Sequence, residues 1–326
     1  MRRAYQTAQA AGRETPVTLT DESTRSPRLT VEIAASAGAV LEALTEPVEI
    51  VRWIGCEVWG FVRAGGHLDI VLGPEDQCEE GASRMAVGLE VRDAPANSVA
   101  FAVAAPRTDR TLALAFTLEE TNGRTRLSVS GSALDSSATD PFSRRLVRAA
   151  RFHVANLKSV LEGGRDLRES TEGELFRFEG TALAGGMRIA RAEVRVATPP
   201  EAAFRAFTDA DALAAWWPGS IDLRAADGLP FEAIIDWAVT PRLHAIGTLA
   251  RCDDPESLRL EWTEATAAGS LDAAGLVAFL AENGGSRVVV VERSDAPLAT
   301  WAASLGGSIP GWDGILARFA RYARGS

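Results

Sequence analysis

Lysine is all but missing from this 326-residue chain: Lys158 is the single one, and the remaining cationic side chains are arginines. No Gly-x-x-x-x-Gly-Lys phosphate loop can therefore be written in it, and Lys158 is the one side chain able to form a Schiff base. Its place on an amphipathic helical stripe points to a solvated face instead. Cysteine is scarce too. Cys56, Cys78 and Cys252 are widely scattered with no Cys-x-x-Cys, which fits reduced thiols rather than a disulfide framework or a zinc site. Basic excess is absent: Lys plus Arg number 34 against 44 Asp plus Glu, for a formal charge of −10. That balance opposes attraction to nucleic acid and anionic lipid, which depends on neutralising phosphates. Long apolar runs are lacking as well. The stretch 276–281 falls far short of the roughly 18 residues that cross a bilayer, and residues 4–13 after Arg2 and Arg3 are polar, unlike a secretory h-region. No membrane insertion and a cytoplasmic location are expected. Gly-x-Ser-x-Gly, a dinucleotide glycine fingerprint and the zincin motif are also missing, so no cofactor, no metal and no standard covalent nucleophile are expected.

What the chain does contain is itself, twice. Residues 192–218 laid over 29–55 at a constant offset of 163 place Ala203, Phe204, Phe207, Thr208 and Trp216 on Val40, Leu41, Leu44, Thr45 and Trp53. Solenoid repeats run to about 50 residues, so this spacing implies two separately packed domains of similar fold. The expected division is a polar extension over 1–27, a first domain over 28–164, a linker over 165–173 and a second domain over 174–326.

Each copy opens with an alternating strand (Leu29, Val31, Ile33 in the first), followed by two short helices. Ser36 is the expected cap of the first helix, and Pro47 stops it. In the second copy Thr198 is the expected N-cap, with Pro199 at the first helical position and Glu201 completing a capping box. Runs of short alternating strands follow: 68–72, 84–92, 99–103, 112–118 and 125–130, then 231–237, 243–251, 258–262, 276–281 and 287–292. Asn122-Gly123 and Asn283-Gly284-Gly285 separate the last two of each set, a strong hairpin signal. Both copies end on a long amphipathic helix. The expected fold class is α+β: two tandem helix-grip domains, each a curved antiparallel sheet around its long C-terminal helix.

The residues from Ala202-Ala203-Phe204-Arg205-Ala206-Phe207-Thr208-Asp209 to Leu213-Ala214-Ala215-Trp216-Trp217 resemble the opening motif of a known family. It is the heat-shock-protein-90 ATPase-activator-like (AHSA-type) branch of the START-like (SRPBCC) superfamily. Gly247-Thr248-Leu249, Asp254-Pro255-Glu256-Ser257-Leu258, Glu261-Trp262 and Gly311-Trp312 continue the likeness. The first copy departs more, with Trp53 alone where the second has Trp216-Trp217. The resemblance implies a hydrophobic cavity between sheet and helix that accepts small apolar molecules. Some relatives carry or sense such ligands, and some cyclise, aromatise or hydrolyse them. Two-domain polyketide aromatase/cyclases have about this length. Chaperone binding does not carry over, because a second copy stands where the eukaryotic co-chaperones have another domain.

Strand parity puts Phe231, Ala233, Ile235 and Trp237 on one face, and Leu258, Leu260 and Trp262 on another. With both faces inward, Trp237 and Trp262 would point at the Trp312 helix, with Trp216 and Trp217 at one mouth, as a ligand-binding set that also includes Phe231 and, in the first copy, Trp53. Filling of the core by these indoles is the competing reading. Polar candidates for acid–base work are an Asp236–His244 pair across a turn at 240–241, and His153 in the first long helix, aligned with Trp312. Parity places Asp236 and His244 on the solvent face, where an ordinary ion pair is favoured. His67 and His153 lack metal-ligand spacing. The leading expectation is binding of a small hydrophobic molecule, as carrier, sensor or scaffold. A cavity-type cyclase and a protein-interaction module with filled cavities are the rivals, and the sequence names no protein partner.

Overall fold

A computed structural model describes residues 18–20, 28–54, 57–60, 62, 65–72, 85–93, 97–104, 111–134, 141–184, 187–237 and 242–325. The chain divides into two compact units, Met1–Arg168 and Glu169–Ser326. The first unit runs β1 (Thr18–Thr20), β2 (Arg28–Ile33), α1 (Ala37–Thr45), α2 (Pro47–Val51), β3 (Glu57–Gly60), β4 (His67–Leu72), β5 (Met85–Asp93), β6 (Ser98–Ala104), β7 (Thr111–Thr121), β8 (Arg124–Ser130) and α3 (Pro141–Leu161). The second runs α4 (Thr171–Ala184), β9 (Arg188–Val196), α5 (Pro200–Thr208), α6 (Ala210–Trp216), β10 (Gly219–Asp222), β11 (Leu229–Ile235), β12 (Leu243–Asp253), β13 (Ser257–Thr266), β14 (Gly269–Glu282), β15 (Gly285–Ser294), α7 (Leu298–Ala302) and α8 (Gly311–Gly325).

Every described strand pair is antiparallel. The first sheet is ordered β1-β2-β8-β7-β6-β5-β4-β3, and the second, taken from the matching end, β9-β15-β14-β13-β12-β11-β10. Apart from the edge strand β1 the two orders are identical, so the duplication holds at the level of topology. In each unit the long last helix packs on the inner face of a curled sheet. Val154 and Leu157 of α3 join Leu29, Val31, Leu127 and Val129 in one core, and Ile315, Leu316 and Phe319 of α8 join Phe231, Ala245 and Val290 in the other. This is the α+β helix-grip arrangement, in tandem.

Local chemistry explains the shared elements. Ser36 Oγ accepts the Ala39 N–H at 3.3 Å and so caps α1. Asn122 and Gly123 both have positive φ, the geometry of a type I′ hairpin turn, which their short or absent side chains tolerate. The inner sheet faces bury alternate residues, as a strand period of two requires.

Several details differ from expectation. The α5 helix begins one residue late: Pro199 is the cap, Pro200 is the first helical residue, and no side chain caps the end. Thr198 instead accepts the Ser286 hydroxyl through its carbonyl at 2.7 Å. Pro47 starts α2 as well as ending α1, since its missing N–H is no loss at a first turn. Strand β11 stops at Ile235, leaving Asp236 and Trp237 beyond it. Three helical and strand pieces, β3, β10 and α7, have no counterpart in the sequence reading. Neither does α4. It lays Leu175 and Phe178 on Leu276, Ala278, Val289 and Val291, covering part of the outer face of the second sheet. Cys56, Cys78, Asp140 and the turn at 240–241 lie outside the described residues.

Candidate functional site

Between the inner sheet face and α8 of the second unit lies a cavity of about 50 Å³ with an apolar wall. Phe231, Ala233 and Ile235 from β11 and Leu258, Leu260 and Trp262 from β13 supply one side, as strand parity predicts. Phe207, Leu213 and Trp217 close a second side, and Leu305 and Trp312 a third. Gly275 lies at the floor for a steric reason. A Cβ there would stand 2.8 Å from Trp262 Cζ3, so only glycine lets the indole lie across β14.

Two glutamates sit behind this wall. Glu264 on β13 and Glu292 on β15 are completely buried. Glu264 Oε1 accepts the Leu305 N–H at 2.9 Å, and Glu292 Oε2 accepts the Trp312 indole N–H at 2.5 Å. Glu264 Oε2, Glu292 Oε1 and the Trp262 indole nitrogen have no hydrogen-bond partner among the described residues. The Trp262 N–H favours the charged form of Glu264 by proximity, without reaching hydrogen-bond geometry. Burial pushes the Glu264 carboxyl up to about 7 against the pull of the Leu305 and Trp262 N–H groups. Burial, and then the neighbouring Glu264, push Glu292 up to about 8, with the Trp312 and Gly306 N–H groups opposing. Near neutral pH the pair therefore holds at least one proton between them. Among the described residues no group of three or more His, Cys, Asp or Glu could hold a metal ion.

Of the residues singled out by sequence, Trp217, Trp262, Trp312 and Phe231 line the cavity. Trp216 does not. It donates its indole N–H to Ala206 O at 2.9 Å and packs against Phe207 and Phe319 with ring centroids 4.7 and 5.4 Å away. Trp53 makes the corresponding bond to Ala43 O at 2.8 Å and is equally a core anchor. Trp237 is half-buried beyond the end of β11, with its ring tip against Gly314, where a Cβ would stand 3.0 Å from it.

The Asp236–His244 pair does not form. His244 Nε2 lies 2.7 Å from Glu232 Oε1 on the neighbouring strand, with both side chains on the outer face and largely exposed, because Asp236 is past the strand end. His153 is buried between Trp53 and Phe152, at ring-centroid distances of 6.5 and 5.3 Å. It is also out of register with Trp312: Asn156 donates to Trp53 O at 2.8 Å where Arg318 donates to Trp216 O at 2.7 Å, and matching those clamps sets His153 over Ile315. His67 is exposed. Lys158 ties the Glu32 carbonyl at 2.8 Å and Glu162 at 2.6 Å, a structural brace on the helix face.

Glu264 and Glu292 escaped the sequence reading, although a signal was there. The inward series Leu258, Leu260, Trp262 arrives at Glu264 with one more step of two, and Val288, Val290 arrives at Glu292. Trp301, buried beside the Gly306-Gly307 backbone, was likewise unflagged.

Residues 197–324, from just after β9 to nearly the end of α8, match the model of a family described as Activator of Hsp90 ATPase homolog 1-like protein. The second unit resembles that family over most of its length. The match does not extend into the first unit, whose kinship with the AHSA1-like unit rests on the shared topology and the repeated residues. No curated protein sequence matches the chain significantly. Among solved structures, DynU16, a putative protein in the dynemicin biosynthetic locus, is 17% identical, covering 91% of this chain and 93% of its own, with a TM-score of 0.37. The di-domain ARO/CYC StfQ from the steffimycin biosynthetic pathway is 13% identical over 91% of this chain and 98% of its own, at 0.32. The Aha1 dimer from Colwellia psychrerythraea is 18% identical over 42% of this chain and 96% of its own, at 0.35. At such scores these likenesses carry no argument about ligand or reaction. Among the described residues no helix is long and apolar enough to cross a membrane.

Proposed function

We propose that the AHSA1-like unit takes up a small hydrophobic molecule between its sheet and α8, acting as a carrier or sensor. The observation that supports this is the void itself. Protein interiors pack at crystal density with few voids larger than a water, yet about 50 Å³ stays open here behind an apolar wall. An empty volume of that size costs about 1 kcal/mol. Its wall also holds Trp262, whose indole ring offers a large apolar face to a ligand.

Binding of the neutral dye Nile red, followed by its fluorescence, tests the reading. Wild-type protein should bind it, and Ala245→Leu, which fills the cavity from β12, should lose binding while keeping or raising its melting temperature. Equal binding by the two proteins would place the dye elsewhere.

One observation favours a second reading. Sites for drug-sized ligands enclose roughly 300–1,000 Å³, so this cavity is small, as it would be in an interaction module whose core is simply filled. Absence of dye binding under all conditions would favour that alternative. An acid–base enzyme is less favoured, because the two buried carboxyls stand behind the Trp262 and Trp312 indoles and not in the cavity wall.

A further inference from the structure

For a molecule larger than the cavity's roughly 50 Å³ to be housed, part of the wall has to move. The strand positions cannot do so easily: β13 and β14 are hydrogen-bonded along both edges. The connection from α7 into the first turn of α8 is held differently. Its backbone hydrogen bonds are local, such as Ser304 N–H to Trp301 O at 3.0 Å and Ser308 N–H to Ser304 O at 2.9 Å. Its described hydrogen bonds to the sheet run through two side chains. Glu264 holds the Leu305 N–H and Glu292 holds the Trp312 indole, and both Leu305 and Trp312 line the cavity. Between them Gly306 comes so close that a Cβ would stand 2.6 Å from Glu292 Oε1.

We infer that residues 305–312 are the moving wall of the cavity and that Glu264 and Glu292 form the latch holding it shut, so that uptake of an apolar molecule is coupled to the charge on this pair. The inference rests on the reading that the cavity takes up such a molecule. Glu264 is the charged neighbour that acts on Glu292 among the described residues. Strand β14 presents Leu271, Ala273 and Gly275 between them, the connection presents backbone amides, and α8 presents Trp312. While the pair retains a proton, the closed arrangement confines at most one charge. Loss of the last proton places two negative charges in a dry space with no cation among the described residues, and admission of water by lifting the segment relieves them. A protein whose open state is a minority binds its ligand more weakly by that fraction, so opening should appear directly in affinity.

The test compares wild type with the Glu264→Gln/Glu292→Gln double variant at about pH 6 and about pH 9, on either side of the pair's titration. Two quantities are measured: Nile red affinity, and hydrogen-exchange protection of 303–312 corrected for the intrinsic pH dependence of exchange. In wild type, affinity should rise about tenfold at the higher pH as protection of the segment falls in parallel, and both should stay flat in the variant. Flat protection in wild type, or the same change in the variant, overturns the latch, even where the dye binds well and the cavity reading stands. Protection that falls in wild type alone, without dye binding at either pH, supports the latch and sinks the cavity reading. Gly306→Ala supplies a check independent of the carboxyls' charge, since its Cβ would stand 2.5 Å from Trp301 Cη2 and 2.6 Å from Glu292 Oε1 and so push the segment off both. At about pH 6 it should bind the dye as wild type does at about pH 9, and affinity unchanged from wild type would overturn the proposal.

Discussion

Trp53 and Trp216, 163 positions apart, make the same hydrogen bond: each indole N–H reaches the carbonyl ten residues before it, Ala43 O at 2.8 Å and Ala206 O at 2.9 Å. Thr45 and Thr208 repeat the correspondence, bonding Leu41 O at 2.8 Å and Phe204 O at 3.0 Å. The duplication thus extends to individual polar contacts: the threonines bond within the first short helix, and the indoles tie the end of the second to the first. Trp53→Phe and Trp216→Phe should each leave a buried carbonyl unpaired and cost about 1–3 kcal/mol. Urea unfolding of the two variants should show comparable losses, each confined to its own unit, and a silent substitution in either would break the equivalence.

The two units should respond to pH in opposite directions. Glu264 and Glu292 have folded-state values of about 7 and about 8, above the ordinary 4.5. Their stabilisation is therefore complete below about pH 4.5 and is lost as pH rises through the folded values, at a slope approaching about 1.4 kcal/mol per pH unit per group. In the first unit, burial raises Asp166 and Glu162, but hydrogen bonds from Arg168 and Asn156 to the one, and from Lys158 and Ala34 to the other, outweigh it and leave both below their usual values. That stabilisation is lost instead as pH falls. Calorimetry across this range should show the second unit melting lower toward alkali and the first melting lower toward acid, with Glu292→Gln flattening the alkaline trend. An alkaline rise in the second unit's melting temperature would contradict the buried pair.

Trp262 and Gly275 should be energetically coupled. The indole crosses β14 only because position 275 has no side chain. Trp262→Ala should cost about 3–5 kcal/mol, and Gly275→Ala about 1–3 kcal/mol through overpacking. In the Trp262→Ala background the second substitution should cost little. Additive losses in the double-mutant cycle would show that the ring is not what excludes a side chain there.

His244 and Glu232 are exposed partners on the outer sheet face, at 43% and 58% side-chain exposure. His244→Ala should change stability by no more than about 0.5 kcal/mol and leave dye binding untouched. Loss of binding in that variant would return the outer face to consideration as a site.

Much of this architecture was legible in the chain. Strand alternation, the Ser36 cap, the Asn122-Gly123 turn and the helical stripes are local signals, set by backbone sterics and by a period of two or 3.6. The repeat at 163 then makes one domain's pattern evidence for the other. Parity likewise selected Phe231, Leu258 and Trp262 for the interior correctly, since a strand's two faces follow from its covalent geometry. Signals that depend on length were weaker. Helix α4 presents only Leu175 and Phe178 to the outer face of its sheet, too short a stripe to stand out from a polar segment.

The sequence by itself determined two tandem helix-grip units and which strand faces turn inward, because those follow from interactions between near neighbours along the chain. Only the tertiary structure decided that Trp216 anchors the core while Trp217 lines the cavity, that His244 meets Glu232 and not Asp236, and how little space stays open. It alone brought Glu264 and Glu292 together, from strands separated by β14, beneath a connection that supplies their hydrogen bonds. The physical reason is that burial and charge depend on what covers a residue and what lies across from it. Those neighbours come from distant parts of the chain, and no local pattern records them.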